Sequence, residues 1–333
     1  MNDALKLVSL TKKFPNGVTA VDNLTLTVPH GSVYGFLGRN GAGKTTTLKM
    51  ITGLSNPTSG EIYIYDKKVE FGKPLSYKNI GFLPDVPEFY SFMTAREYLF
   101  LCGRLHKMSD GDIKKRVREI FELINFDTKR LRYKISTFSR GMKQKLGIAV
   151  SLLHSPDLIM LDEPTSALDP VGRKETINII NSLKEKYTVI FSTHILTDVE
   201  RVCDRIALID KGGLVLEGNI NEIKEKKSGI SSALNVEVVE VEDNNVKFTN
   251  FLSAVKKCGF IDYINHEKSE KGDIKILFKT SDRKMTGEEL PKIIYENGLS
   301  LVRFEFEEAT LEDIFIAATS TQPNTQNRQG AAV

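Results

Sequence analysis

The stretch Ser32-Val33-Tyr34-Gly35-Phe36-Leu37-Gly38-Arg39-Asn40-Gly41-Ala42-Gly43-Lys44-Thr45-Thr46 decides the fold of this 333-residue chain. Residues 32–37 form a continuous β-rich run, the pattern of a strand buried on both faces of a parallel sheet. Residues 38–45 then fit G-x-x-x-x-G-K-[ST]. Glycines let backbone N–H groups converge on phosphate oxygens without side-chain obstruction. The helix expected from Lys44 aims the positive end of its dipole at the same anion. Lys44 is expected to bridge the β- and γ-phosphates of a nucleotide, and the Thr45 hydroxyl to hold Mg²⁺.

Further along, Leu158-Ile159-Met160-Leu161 reads as a second buried strand, and it ends in Asp162-Glu163. Carboxylates at the C-terminal edge of an open α/β sheet stand where ligands bind. Asp162 suits the Mg²⁺ shell, and Glu163 suits accepting a proton from an attacking water. A helix over 173–186, a strand over 188–192, a helix over 196–202 and a strand over 205–209 follow. That alternation predicts an α/β domain with a mainly parallel sheet. Residues 4–28 read as two strands around the turn Phe14-Pro15-Asn16-Gly17. The stretch 94–126 reads as helical, with Ile113, Val117, Ile120, Phe121 and Ile124 at helical spacing. The turn Lys211-Gly212-Gly213 leads to a last hairpin strand over 214–217.

Beyond residue 220 the texture changes. A charged helix end and linker (221–232), strands at 236–241, 274–278 and 301–306, and helices at 251–258 and 288–297 predict a small α+β domain. The polar tail from Ser320 is expected to be disordered. The expected organisation is therefore a nucleotide-binding domain over 1–220, an accessory domain over 221–319 and a tail over 320–333. The formal net charge is only +3, but residues 1–220 carry 31 basic and 24 acidic groups, and residues 221–333 carry 15 and 19. A basic excess in the first domain suits handling an anion, while the small overall excess does not call for nucleic acid. No stretch approaches the ~18 apolar residues of a membrane span. The opening MNDALKLVSLTKKF has no apolar core of a secretion signal. Cys102, Cys203 and Cys258 form no CxxC pair, which argues against a cysteine zinc site and for a reducing compartment.

These motifs, in this order, resemble the ATP-binding cassette (ABC) ATPases over roughly residues 5–220. Phe14 occupies the place of the family's adenine-stacking aromatic, and Gly38 to Thr46 look like the Walker A loop. Phe138-Ser139-Arg140-Gly141-Met142-Lys143-Gln144 is similar to the signature motif, and Asp162-Glu163 to Walker B. Ser166-Ala167-Leu168-Asp169 looks like the D-loop, and Ser192-Thr193-His194 like the switch histidine. The resemblance implies a head-to-tail dimer around two ATP, in which Ser139 and Gly141 of one copy close on the γ-phosphate held by the other. It also implies that His194 senses the γ-phosphate.

Two positions depart from the family pattern: Arg140 replaces the first glycine of the signature, and Asp85 stands where the Q-loop glutamine is usual. Asp85 is expected to reach the metal or its water. Both departures, and the ending Ala309-Thr310-Leu311-Glu312-Asp313-Ile314-Phe315, look like the subfamily serving type-2 exporter permeases for drugs, antibiotics or sodium. A cassette of this kind implies a separate integral permease, and so a peripheral location at the cytoplasmic face of the membrane. Its docking surface is expected near residues 86–108, where Phe89, Tyr90, Phe92, Tyr98 and Phe100 cluster, about half of them core. A soluble ABC ATPase on ribosomes or DNA is the alternative, but this chain has one cassette and an acidic C-terminal region. A P-loop kinase or non-hydrolysing regulator fits neither the signature nor Glu163.

Overall fold

The computed structural model describes residues 3–71, 80–228, 232–240, 246–268, 273–306, 311–312 and 314–315. Two compact units divide the chain, one reaching to Ile220 and the other running Asn221–Ala317. The expected disordered tail, 320–333, lies outside the described residues.

The first unit opens with β1 (Asp3–Lys13), β2 (Thr19–Pro29) and the central strand β3 (Val33–Leu37). Helix α1 (Lys44–Ile51), the strands β4 (Ser59–Ile64) and β5 (Lys67–Lys68), and β6 (Ile80–Leu83) follow. Helices α2 (Ala95–Leu105) and α3 (Asp110–Leu123), two short 3₁₀ turns and α4 (Arg140–Leu152) come next. The unit ends with β7 (Leu158–Asp162), α5 (Pro170–Leu183), β8 (Thr188–Thr193), α6 (Leu196–Val202), β9 (Arg205–Asp210) and β10 (Gly213–Asn219).

The six-stranded sheet has the order β10-β9-β3-β8-β7-β6. Its five strands from β9 to β6 are parallel, and β10 returns antiparallel on β9. Every residue of β3, β7 and β8 is buried, which is why 33–37, 158–161 and 189–191 read as apolar runs. The register pairs Leu37 with Thr193 and Asp162 with Ser192, so three C-terminal strand ends meet at one edge. A four-stranded antiparallel sheet, β2-β1-β4-β5, forms the second layer, and Leu5, Leu7, Leu26 and Val28 share one core with Tyr34, Phe36 and Leu48. Burial, and then the carboxylate of Glu217, push the Tyr34 phenol far above its ordinary range; its hydroxyl donates to that carboxylate at 2.7 Å.

The helical stretch expected over 94–126 is two helices. Lys107 takes a left-handed φ of 59°, which no α-helix accommodates, and the chain turns there. Ser109 then restarts it by accepting from the backbone of Asp112 at 3.1 Å. Thr94 and Glu97 form a reciprocal capping box at the start of α2. Helix α5 begins at Pro170 rather than Arg173, because Asp169 caps it and proline suits a first helical position.

The second unit contains α7 (Ile220–Ser228), β11 (Ser232–Glu240), α8 (Val246–Val255), β12 (Ile261–Lys268), β13 (Asp273–Thr280), α9 (Arg283–Glu296) and β14 (Leu299–Phe306). Its sheet order, β12-β13-β11-β14, with all neighbours antiparallel, is a split β-α-β arrangement. Phe251, Phe278, Leu290 and Ile294 centre its core. Strand β12 has no sequence counterpart above, since it is an edge strand with no buried residue to set a period of two. Leu311 and Ile314 are buried.

Gly81 marks the tightest strand–helix approach near the site. A Cβ there would stand 2.1 Å from the carbonyl oxygen of Ser151 on α4. Gly81→Ala is expected to lower the stability of the first unit by about 1–3 kcal/mol, read from the denaturant midpoint.

Candidate active site

The phosphate loop joins β3 to α1. Gly43 has φ of 104°, and a Cβ on it would lie 2.3 Å from the carbonyl oxygen of Ala20, so only glycine fits. Gly38 and Ala42 are buried, whereas Arg39, Asn40 and Gly41 are exposed. No side chain caps the N-terminus of α1, which leaves its first N–H groups to the loop. Thr45 and Thr46 are half-buried at that end. The Lys44 ammonium is 5% exposed and lies inside the loop, donating to the carbonyls of Gly38 at 2.7 Å and Arg39 at 3.3 Å. It also pairs with Glu163 Oε1 at 3.1 Å. Its position is therefore shared between the loop and the carboxylate edge.

Asp162 ends β7 almost completely buried. Its Oδ1 accepts from the Ser192 hydroxyl at 2.5 Å, while its Oδ2 is buried without a hydrogen-bond partner. Glu163 follows with φ of 45°, a left-handed backbone that costs a non-glycine residue of order 1 kcal/mol. Its N–H is held by Ser192 through both the hydroxyl oxygen at 3.0 Å and the carbonyl at 3.1 Å. That clamp turns the carboxylate so that Oε1 meets Lys44 and Oε2 lies 2.9 Å from His194 Nδ1. Four residues from three separate stretches of the chain, Lys44, Glu163, Ser192 and His194, thus form one connected group.

Ser139 caps α4 by accepting from the backbone of Met142 at 3.3 Å, and Gly141 follows in the first turn. Thr165 donates to the fully buried Asp198 at 2.8 Å, and Arg173 donates to its other oxygen at 2.8 Å, which fixes the loop after Glu163. Asp169 accepts from the backbone of Gly172 at 3.2 Å, so its side chain is occupied as a helix cap. Asp85 is exposed and accepts from the Ser166 hydroxyl at 3.3 Å, a hydroxyl also 3.1 Å from the carbonyl of Glu163. A cleft of about 360 Å³ gathers Asp85, Arg140, Lys143, Glu163 and Ser166; Asp162 and Thr45 do not line it. Among the described residues no three His, Cys, Asp or Glu side chains form a preformed metal cage. Phe14 is 38% exposed on its turn, with Lys12 Nζ 5.3 Å from the ring centre.

Residues 21–166 match the protein-family model described as ABC transporter. Over 323 residues the chain is 36% identical to the bacitracin transport ATP-binding protein BcrA of Bacillus licheniformis, covering 95% of this chain and 97% of that one. This chain belongs to the ABC transporter ATP-binding proteins. The linearmycin resistance ATP-binding protein LnrL of Bacillus subtilis (strain 168) is 30% identical to it over 92% of this chain and 96% of that one. A dimeric bacterial ABC transporter cassette superposes with a TM-score of 0.59 at 27% identity, covering 65% of this chain and 98% of that one. As a member of this family the protein is an ATPase.

Ser192 is the residue whose part no motif spacing discloses. As a buried strand residue it reads as part of a β run, and only the pairing of β8 with β7 puts its hydroxyl between Asp162 and Glu163. Ser192→Ala leaves Asp162 Oδ1 without its donor and is expected to cost about 1–3 kcal/mol. Thermal unfolding of Ser192→Ala beside Ser192→Thr, which keeps the hydroxyl, measures this, with the threonine variant recovering most of the loss.

Proposed function

We propose that this ATPase is the nucleotide-binding subunit of an exporter, driving a separate integral permease that moves an antibiotic- or drug-like solute. The observation that carries the reading is the joining of Lys44, Glu163 and His194 at the sheet edge beside the phosphate loop. The names of the two relatives, one in bacitracin transport and one in linearmycin resistance, support the antibiotic class. Among the described residues no helix is long and apolar enough to cross a membrane, so the solute path belongs to a partner. The chain then works at the cytoplasmic face, attached through that partner.

In this reading residues 38–46 hold the ATP phosphates by backbone N–H groups, and Lys44 moves from Glu163 to the β- and γ-phosphate oxygens. That exchange frees Glu163 to accept a proton from the attacking water, with Ser192 holding its backbone in place. His194 orients the carboxylate and meets the γ-phosphate. Thr45 and Asp162, whose Oδ2 is buried and lacks a partner, would hold Mg²⁺, which would supply charge neutralisation at the phosphate oxygens. Asp85 reaches this centre through Ser166. Phe14 stacks on the adenine. Two cassettes pair head to tail, and Ser139, Gly141 and Asp169 of each face the nucleotide of the other. The dimeric cassette among the similar structures supports that pairing.

The permease side lies over the aromatic residues before and within α2. None of Phe89, Tyr90, Phe92, Tyr98 and Phe100 is buried, contrary to the expectation that about half are core. Tyr90 is 56% and Phe92 70% exposed, and the Tyr90 ring meets Phe92 tilted and Tyr98 edge to face. Burial pushes the Tyr98 phenol up to about 12, so it stays neutral in this cluster at any physiological pH. Exposed, mutually packed rings suit a partner helix.

Two experiments test the proposal. Glu163→Gln is expected to slow ATP turnover by about 10²–10⁴-fold while nucleotide binding persists. Turnover at the wild-type rate removes Glu163 from the role of base. Tyr90→Ser with Phe92→Ser is expected to abolish co-purification with the permease and to leave ATP binding intact, because both side chains are on the surface.

A further inference from the structure

A second cavity, of about 350 Å³, opens between α2, α3 and the 3₁₀ turn at Thr128–Arg132, away from the phosphate loop. Its charged lining is entirely cationic: Arg96, Lys114, Arg118 and Arg132. Its remaining lining is mostly apolar and includes Phe100 and Leu131. None of the four cations is in an ion pair among the described residues. Four carboxylates of the same helices are committed elsewhere, and Glu122 of α3 is exposed and does not line the cavity. Asp110 pairs with Arg104, Asp112 accepts from the Ser109 hydroxyl, Glu119 pairs with Arg116, and Glu97 closes the cap of α2. Four like charges brought from three elements around one apolar-floored cavity repel one another, and among the described residues no carboxylate lines the cavity to relieve that repulsion. The missing partner is an anion.

We propose that this cavity binds the phosphate headgroup of an anionic phospholipid, so that the helical part of the cassette contacts the membrane surface directly. Three features select that occupant over an acidic protein segment. The cations stand at the rim and are exposed, which suits a layer of phosphates rather than fixed carboxylates in register. The cavity pairs its charged rim with an apolar lining, the combination an amphiphile requires. An arginine and an aromatic ring also meet in its lining, as they do at lipid interfaces: Arg96 lies 5.3 Å from the Phe100 ring centre. Phe100 is shared with the proposed permease side, but Lys114, Arg118 and Arg132 lie outside it and the test below uses no permease, so the site stands or falls separately from the exporter reading.

The test is flotation of the full chain with vesicles, without permease. The chain is expected to float with vesicles of phosphatidylcholine plus phosphatidylglycerol, to stay unbound with phosphatidylcholine alone, and to release as salt rises. Lys114→Gln, Arg118→Gln and Arg132→Gln together are expected to lower the bound fraction at least about tenfold with ATPase activity in solution unchanged. Lys256→Gln, Lys257→Gln and Lys284→Gln, exposed cations of the second unit, remove the same charge and are expected to leave flotation as it is. Equal loss in both triple variants overturns the proposal in favour of net charge. Absence of flotation on anionic vesicles also overturns it. So does saturable binding of inorganic phosphate through the same three residues without flotation, which assigns the cavity to a free anion. Capture by an acidic permease peptide, lost in the first triple variant and without flotation, overturns it in favour of a protein partner.

Discussion

Two carboxylates at the end of β7 are withdrawn from water, Asp162 with 1% and Glu163 with 9% of its surface exposed. Burying such groups unpaired is prohibitive, so the surrounding structure must bring them donors and cations. The donors come from β8, as the hydroxyl and carbonyl of Ser192, and the cation comes from the phosphate loop, as Lys44. That requirement fixes which strands are neighbours. Strand β8 must lie between β3 and β7, because only then do the loop after β3 and the carboxylates after β7 flank the same serine.

The same arrangement explains why the site is poised to change. Lys44 is satisfied three times over, by two loop carbonyls and by Glu163. A polyphosphate entering the loop competes for that ammonium with groups of equal kind, and the carboxylate it leaves has His194 as its remaining partner. Glu163 meanwhile holds a left-handed backbone, a strain maintained by the clamp on its N–H and by the network of Thr165, Asp198 and Arg173 behind the following loop. Ser166, touching both the Glu163 carbonyl and Asp85, ties this centre to the loop after β6. A short covalent and hydrogen-bonded chain thus joins Glu163 to the segment that begins after Asp85.

Much of the first unit is legible because its central strands are buried on both faces and its helices carry capped, periodic faces. The runs at 33–37, 158–161 and 189–191 are apolar for one reason, burial between layers. What escapes is what depends on a single torsion or on absent burial. The break between α2 and α3 hangs on Lys107, a residue type with no turn signal. The aromatic residues of 89–100 look like core by composition, yet they pack on one another at the surface. Asp169 belongs to a loop motif by position and serves as a helix cap by geometry. Arg140 and Asp85, both departures from the family pattern, are 55 positions apart in the chain and line one cleft.

By itself the sequence determined the chemistry available: a glycine loop able to hold phosphate, a lysine, two carboxylates, a histidine and their order. Local spacing suffices for these, since strand-loop-helix geometry is set within a dozen residues. The tertiary structure alone decided how those groups are partnered. The contacts of Lys44 with Glu163, Ser192 with Asp162 and His194 with Glu163 span 30 to 119 positions of chain, all but the span to Lys44 lying near 30. Such pairings follow from the register of parallel strands, which no local pattern encodes. The cationic cavity between α2 and α3 has the same origin, for its four charges become neighbours only when three helical elements pack.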